Sequence, residues 1–440
     1  MRRAIVMGGS FAGLNAAQAL SRHVEEVVVL EPDDIGEDGL GERSPHRTQL
    51  HALLAMGHTQ IESRFPGITQ ELVEAGARLG QGREVQFYVD GVCRPPVDGI
   101  QMLGASRPFL EAAVRRRVLA LGNVRLVHGH ARGLTFDGER VSGARFSEAG
   151  SPHPEQMLDA DLVVDAMGRS SRVATWLEEA GRGRVPTDRM RVDLGYATAS
   201  FTRGDELGST IIAHSAPGPA SNYQPGLTEP GALAAVEGGR WSVVVAGYAD
   251  QRPTDDVEDF LARMRRCVGP IHTVAQACSM IGKVEAFNFR ESQRRNYHGY
   301  ARLPGGLVVL GDALASVNPV YGQGLTLAAL QAHCLDHFLG SGADLHEPAT
   351  AYFRRASAFV DAAWQLSTTA DLAQPHVLGP YPPGYRLMKW AGDKITGASV
   401  TDPEINDLFM NVVHMKVPPR QLTSPAVLLR ALRVGGRRDA

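Results

Sequence analysis

The segment from Ala4 to Glu31 limits most tightly what this chain can fold into. Ala4-Ile5-Val6-Met7-Gly8 has no polar side chain, the pattern of a strand buried on both faces in a parallel sheet. Gly9, Ser10, Ala12 and Gly13 follow, and Leu14, Ala17 and Leu20 then recur at helical spacing. Val27-Val28-Val29-Leu30 reads as a second strand and ends on Glu31. The segment predicts strand, tight turn, helix and parallel strand, with the helix N-terminus at the turn. Unpaired N–H groups and the helix dipole there favour a pyrophosphate. Glu31, about 20 residues past the turn, is placed to accept hydrogen bonds from ribose hydroxyls and to disfavour a 2′-phosphate. Ser10 stands where the dinucleotide pattern has glycine, and its hydroxyl is expected to donate to the phosphate.

Leu307-Val308-Val309-Leu310 predicts another buried strand. Asp312 follows at its carboxyl end, where ligands of open α/β sheets bind, and is a candidate for polyol hydroxyls. Pro319 and Gly322-Gln323-Gly324 precede a helix carrying Leu325, Leu327, Ala328 and Leu330. The start of that helix offers bare N–H groups and positive potential. A reduced flavin is anionic at its N1–C2=O edge, so such a helix start would stabilise it. Glycines there let backbone approach a flat ring. The two segments, some 300 residues apart, together read as one flavin held at both ends.

Gly8-Gly9-Ser10-Phe11-Ala12-Gly13-Leu14, Gly311-Asp312-Ala313 and Asn318-Pro319-Val320-Tyr321-Gly322-Gln323-Gly324 resemble the motifs of the flavoprotein monooxygenases with the para-hydroxybenzoate hydroxylase fold (class A). The resemblance covers roughly residues 1 to 435 and is closest to a bacterial branch that includes flavin-dependent epoxidases of polyether and terpenoid biosynthesis. It implies an α/β architecture: a Rossmann-like FAD-binding domain, an inserted mixed β-sheet substrate domain and C-terminal helices. It assigns FAD contacts to Gly8, Gly9, Ser10, Ala12, Gly13, Glu31, Gly311, Asp312, Pro319, Gly322, Gln323 and Gly324. Asp161 to Ser171 resembles the family's Asp-Gly segment, between the flavin and reductant sites, and adds Asp165; Met167 stands where the family has threonine. Ser106 is a plausible N-cap for a helix whose Arg107 the resemblance places on the phosphate–ribose part. Arg43, with Arg47 as its rival, is a candidate for a ribose or isoalloxazine contact.

Composition narrows the class. The chain has 440 residues, ordinary hydrophobic content and net charge −3, which gives no electrostatic argument for nucleic acid. Arg115-Arg116-Arg117 reads as a solvated helix face. Cys93, Cys267, Cys278 and Cys334 lack metal-ligand spacing, and no HExxH occurs, so no metal is expected. Met1-Arg2-Arg3 leads directly into the first strand, and no apolar run approaches the length needed to span a bilayer. The expectation is a cytoplasmic protein with reduced thiols.

The FAD-binding domain is expected from residues 1–80, 104–189 and 300–345, the substrate sheet from 81–103 and 190–299, and a helical region from 346–440. Helices are expected near 49–64 and 67–76. The final helices, with Leu408, Phe409, Val412 and Val413, then Val427, Leu428, Leu429 and Leu432, either pack on the body or meet a membrane or a carrier of lipophilic substrate.

Only one dinucleotide-type turn occurs. NAD(P)H is therefore expected to bind transiently or to act through a separate flavin reductase. The resemblance implies oxygen transfer from O2 through a flavin C4a-hydroperoxide to a lipophilic small molecule, by alkene epoxidation or hydroxylation in specialised metabolism. Epoxidation needs no side-chain base; phenol hydroxylation benefits from one. His51, Tyr196, His214 and Tyr223 are the candidates, His51 either beside the flavin or packing a helix. Flavin halogenases share the second motif but use a lysine in the N-terminal region, and this chain has none before Lys283. Two other classes fit the residues: a flavin-dependent reductase or dehydrogenase of an isoprenoid-like substrate, and a non-catalytic flavin-binding partner protein.

Overall fold

The structure, a computed structural model, describes residues 1–36, 38–41, 45–148, 155–216 and 229–435. Two large sheets organise it. The first has seven strands in the order Leu307–Val309, Leu162–Asp165, Arg3–Met7, Glu26–Glu31, Val124–Asp137, Arg140–Glu148 and Gln156–Asp159. The first five are parallel and the last two return antiparallel. Arg3–Met7 lies between two parallel neighbours and packs against helix Phe11–Leu20, and Ala4 to Met7 are fully buried. That position explains the unbroken apolar run, with Ile5, Val6 and Met7 each contributing about 1.5–3 kcal/mol by burial. Helix Phe11–Leu20 packs so closely on the strand that a Cβ at Gly13 would lie 1.8 Å from the Gly8 carbonyl oxygen.

The second sheet has eight strands, in the order Ala315–Ser316, Met280–Arg295, Thr187–Thr202, Arg240–Tyr248, Gly231–Val236, Ile212–Ala216, Val85–Val89 and Val92–Cys93. Its two faces follow from the two-residue period of a strand. Phe201, Leu233, Trp241, Val243 and Val245 pack under helices Val257–Arg266 and Gly269–Ala277, against Phe260, Met264, Ile271 and Val274. Tyr196, Ala232, Ala234, Val244, Ala246 and Phe287 line the interior cavity instead.

Several elements differ from the sequence expectations. The helix expected from residue 49 starts at Ala55, because residues 49–54 run as a strap along the cavity, with Leu50 N donating to Thr198 and Leu54 N to Thr326. Met280–Arg295 is a 16-residue strand that the sequence hides, since its apolar alternation is broken by exposed charges. The pair Arg78–Gln81 and Gln101–Gly104 forms a separate two-stranded sheet, straddling the expected divisions at 80 and 103. Arg115 is buried rather than solvated and donates to the Gly9 carbonyl at 2.6 Å, whereas Arg116 and Arg117 pair with Glu71.

Four helices follow Gly324–Gly340: Thr350–Asp371, Tyr385–Ser399, Pro403–Val413 and Pro425–Gly435. They close the side of the cavity that the sheet leaves open, through Leu366, Thr369, Met388, Phe409 and Met410, with Leu422 from the connection before the last helix. Among the described residues, no helix is long and apolar enough to cross a membrane and no three His, Cys, Asp or Glu side chains gather as a metal-ligand set.

Candidate functional site

One cavity of about 1550 Å³ runs between the two sheets. Its walls contain both glycine-rich segments, which meet: Gly311 has φ +65°, and a Cβ on it would lie 2.7 Å from the Ala12 Cβ. Gly322, also left-handed at φ +67°, approaches Ala52 in the same way, at 2.9 Å. Side chains are excluded at both points, leaving a slot bounded by backbone.

One end of the slot is the opening turn. The first bond of helix Phe11–Leu20 is Leu14 N to Ser10 O at 2.9 Å, so the preceding amides have no helical partner and face the cavity wall formed by Ser10, Phe11 and Ala12. Glu31 is oriented by two backbone amides, Gly9 N at 2.6 Å and Asp33 N at 2.9 Å, and lines the same cavity. Gly8 lines the cavity as well; Gly9 and Gly13 do not, Gly9 orienting Glu31 and Gly13 admitting the helix to the strand.

Ser10 departs from its expected role. Its hydroxyl donates to Glu111 Oε1 and accepts from Arg107 Nη2 at 3.3 Å, so it holds protein side chains in place and is not directed at an anion. Glu111 is the residue the sequence reading missed. It is 1% exposed and gathers Arg107 (Nε at 3.2 Å), Arg47 (Nε at 3.5 Å) and Ser10. Burial pushes its pKa up, but Arg107, Arg47 and Ser10 outweigh burial and hold it below the usual carboxylate value. The four-residue spacing of Arg107 and Glu111 on one helix was the available signal. Arg47 also pairs with Asp33 at 3.2 Å.

Arg107 reaches His51 with Nη1 at 2.9 Å. His51 donates from Nδ1 to the Gln49 carbonyl at 2.8 Å, which leaves Nε2 as the acceptor for Arg107. Burial, then Arg107, push the His51 pKa well below 6.5. It therefore presents a neutral imidazole to the cavity, with both nitrogens engaged. Arg43 lies outside the described residues.

At the other end, helix Gly324–Gly340 points its start into the cavity past Gly322, Gln323 and Gly324. Its first bond is Leu327 N to Gln323 O at 2.9 Å, and the buried Gln323 Oε1 has no protein partner. Pro319 opens the turn before it, fixed by Asn318 Oδ1 accepting from Val320 N at 3.0 Å. Asn318 in turn donates to Asp371 Oδ1 at 2.8 Å, a buried carboxyl whose pKa desolvation raises to about 7. Asp312 lies deep in the molecule but opens onto the cavity. Burial raises its pKa, while Arg107 and Arg169 pull it down. Asp165 is different in kind: fully buried and away from the cavity surface, it ties Met167 N and the Ser171 hydroxyl into the turn after its strand.

Tyr196 and His214 both line the apolar chamber beneath the second sheet. Burial raises the Tyr196 phenol above its ordinary pKa and lowers His214 to about 4, Arg94 adding to the latter. At neutral pH both are uncharged. Tyr223 lies outside the described residues.

The whole chain has counterparts among known proteins. No protein-family model matches it. It is 31% identical over 423 residues to "Protein Rv3254" of Mycobacterium tuberculosis, spanning 92% of this chain and 88% of that one. Among solved structures, the flavin-dependent brominase Bmp2 superposes with TM-score 0.66 at 17% identity, covering 99% of both chains. The p-nitrophenol 4-monooxygenase PnpA from Pseudomonas putida DLL-E4 gives 0.64 at 15%, over 94% of this chain and 99% of that one. A flavoprotein/dehydrogenase from Cytophaga hutchinsonii gives 0.69 at 13%, over 99% and 100%. The chain thus belongs to the family of protein Rv3254 and has the para-hydroxybenzoate hydroxylase fold of the flavin-dependent monooxygenases.

Proposed function

We propose that the protein is an FAD-dependent monooxygenase acting in the cytoplasm on a lipophilic small molecule. The observation that carries this reading is the convergence of Glu31, the starts of helices Phe11–Leu20 and Gly324–Gly340, and an apolar chamber on one continuous cavity. The residues fit FAD. Glu31 would accept from the ribose, and the amides after Ser10 would take the pyrophosphate. Arg107, held by His51 and Glu111, would neutralise the phosphate. The amides at Gly322–Gly324 and the unpartnered Gln323 Oε1 would meet the ring.

Bound and reduced, the flavin would supply oxygen activation and transfer one oxygen atom to the substrate. The chain's own part is positioning and exclusion of water. The positive end of helix Gly324–Gly340 favours negative charge at the ring edge facing it. Val244, Ala246 and Phe287 on one side and Phe409 and Met410 on the other give the substrate an apolar chamber. Tyr196 and His214, uncharged at neutral pH, can orient a substrate oxygen by hydrogen bonding. This composition favours an alkene or aromatic ring over a charged substrate, with epoxidation or hydroxylation as the reaction. Electrons come from NAD(P)H, directly or through a partner reductase. Bromination is disfavoured: of the four lysines only Lys389 lines the cavity, and it pairs with Asp393 at 2.6 Å.

Extraction of the cofactor from purified protein, followed by NAD(P)H consumption assays with lipophilic alkenes and phenols under ¹⁸O₂, tests the reading. One labelled oxygen in the product supports it. A reduced or desaturated product without label replaces it with the reductase or dehydrogenase reading, and FAD binding without turnover with the partner-protein reading.

A further inference from the structure

The helix Tyr385–Ser399 has two unlike faces. Met388, Ile395 and Thr396 line the cavity. The opposite face exposes Leu387 (67%) and Trp390 (41%), three residues apart and therefore adjacent. Arg386 and Lys394 are exposed beside them. The loop leading into the helix adds Leu378, 90% exposed, and Tyr381, 53% exposed. Large apolar side chains grouped at the surface mark an interaction site, whereas scattered ones do not.

Charge separates along the chain in the same sense. Residues 378–440 carry nine Lys or Arg and five Asp or Glu, a net +4, within a chain of net −3. Three of the four lysines fall in this segment. A Trp, a Tyr and leucines flanked by long basic side chains suit the boundary between lipid headgroups and acyl chains: the rings sit at headgroup depth and the cations meet anionic lipid. The exposed cations favour an anionic surface, and a second copy of the chain would bring its own positive patch against this one.

We infer that this face docks the protein on an anionic lipid bilayer, with helix Tyr385–Ser399 lying between the lipid and the cavity it helps to wall. The inference rests on the lipophilic-substrate reading: a substrate dissolved in lipid would then pass along one helix to reach the chamber. For the final helices the sequence offers either packing on the body or such a contact. Val412 is 1% exposed and packed against Ile395, Ile405 and Leu422, which removes the helix Pro403–Val413 from consideration, whereas the helix Pro425–Gly435 keeps Leu429 and Leu432 exposed.

The test uses the full-length, flavin-loaded protein with vesicles of phosphatidylcholine alone and with roughly one third phosphatidylglycerol. Co-sedimentation should appear with the anionic vesicles and weaken about tenfold or more in high salt. Trp390 emission should shift to the blue on binding, because of the other three tryptophans Trp176 and Trp241 are buried and Trp364 is half-buried. Leu387→Glu with Trp390→Glu should lower vesicle affinity about tenfold or more, and Arg386→Ala with Lys394→Ala should remove the preference for phosphatidylglycerol. Leu378→Glu, in the loop, serves as a second variant that leaves the helix intact. Equal binding of wild type and variants, or none by wild type, overturns the inference. So does a concentration-dependent dimer in light scattering that Leu387→Glu dissolves. Flavin content is read on each sample: flavin present without vesicle binding defeats only the docking face, whereas absent flavin defeats the proposed function.

Discussion

Arg107 donates from Nη1 to Nε2 of His51 at 2.9 Å, across 56 positions of sequence. That bond fixes the guanidinium at the entrance to the slot. His51→Ala should leave a buried N–H of a charged group unpaired and Arg107 free to turn away. The expected result is about a tenfold weaker FAD affinity, the scale of one hydrogen bond to a charged group. His51→Gln, which keeps an acceptor, should recover most of it. Flavin fluorescence titration of apoprotein measures both; unchanged affinity in His51→Ala would remove Arg107 from the cofactor set.

Glu111 is a buried carboxylate between two guanidinium groups. Glu111→Ala leaves Arg47 and Arg107 with one less counter-charge at 2% and 11% side-chain exposure. Breaking such a cluster costs about 3–5 kcal/mol. Chemical denaturation should show a loss of that size, and a loss under about 1 kcal/mol would mean that the cluster is solvated.

Gly13→Ala should prevent correct folding, because its Cβ would sit 1.8 Å from the Gly8 carbonyl oxygen, and neither can move without the backbone that carries it. Gly322→Ala is milder. It puts a side chain at φ +67° and 2.9 Å from Ala52, with an expected cost of about 1–3 kcal/mol. Its thermal midpoint and its FAD affinity should fall together. Soluble Gly13→Ala protein of wild-type stability would contradict the packing of helix on strand.

Much of this was legible in the sequence, for identifiable reasons. The strand, turn and helix from Ala4 to Leu20 repeat a local pattern, and each apolar residue reports its own burial. Gly311 and Gly322 stand where φ is positive, and that requirement is also local. What escaped was long-range. Glu111 reads as an ordinary charge on a helix until Arg47 arrives from 64 residues upstream. Asp371 reads as a helix residue until Asn318, Tyr248 and Tyr321 close on its carboxyl. Arg115 sits in a run of three arginines that face different ways. The C-terminal helices resemble packing helices because one face does pack; that another face walls the cavity depends on where the second sheet stops.

Acid should destabilise the protein from pH 6.5 downward. Burial lowers His46 and His214 to about 4 and His414 to about 3 from 6.5, and His51 shifts the same way. The unfolded chain therefore takes up protons before the folded one does. The stability these histidines contribute is complete above 6.5 and lost as pH falls toward 4, each at no more than about 1.4 kcal/mol per pH unit. Asp165 and Asp371, raised by burial from 3.8 to about 6 and about 7, act in the opposite sense over much of this range. Asp312 is raised in the same way as these carboxyls and His58 and His333 are lowered like the other histidines; six histidines outweigh three carboxyls, so urea midpoints should fall steadily from pH 7 to pH 5. A flat or rising profile would show that the histidines are solvated.

Tyr196 and His214 line the chamber as neutral groups, and neither is poised as a base. Tyr196→Phe should retain turnover within about tenfold, since orienting hydrogen bonds contribute about 0.5–1.5 kcal/mol, and should raise KM more than it lowers kcat. A drop in kcat of about 10² or more would make the phenol a catalytic group.

The central claim is that this cavity holds a flavin and directs its reaction with oxygen. The most direct measurement reduces the purified flavoprotein anaerobically and mixes it rapidly with oxygenated buffer while the spectrum is recorded, alone and with lipophilic alkenes and phenols. The account predicts a transient species absorbing to the blue of oxidised flavin, whose decay is accompanied by an oxygenated product. Single-step return to oxidised flavin under every condition, or protein that carries no flavin, would contradict it.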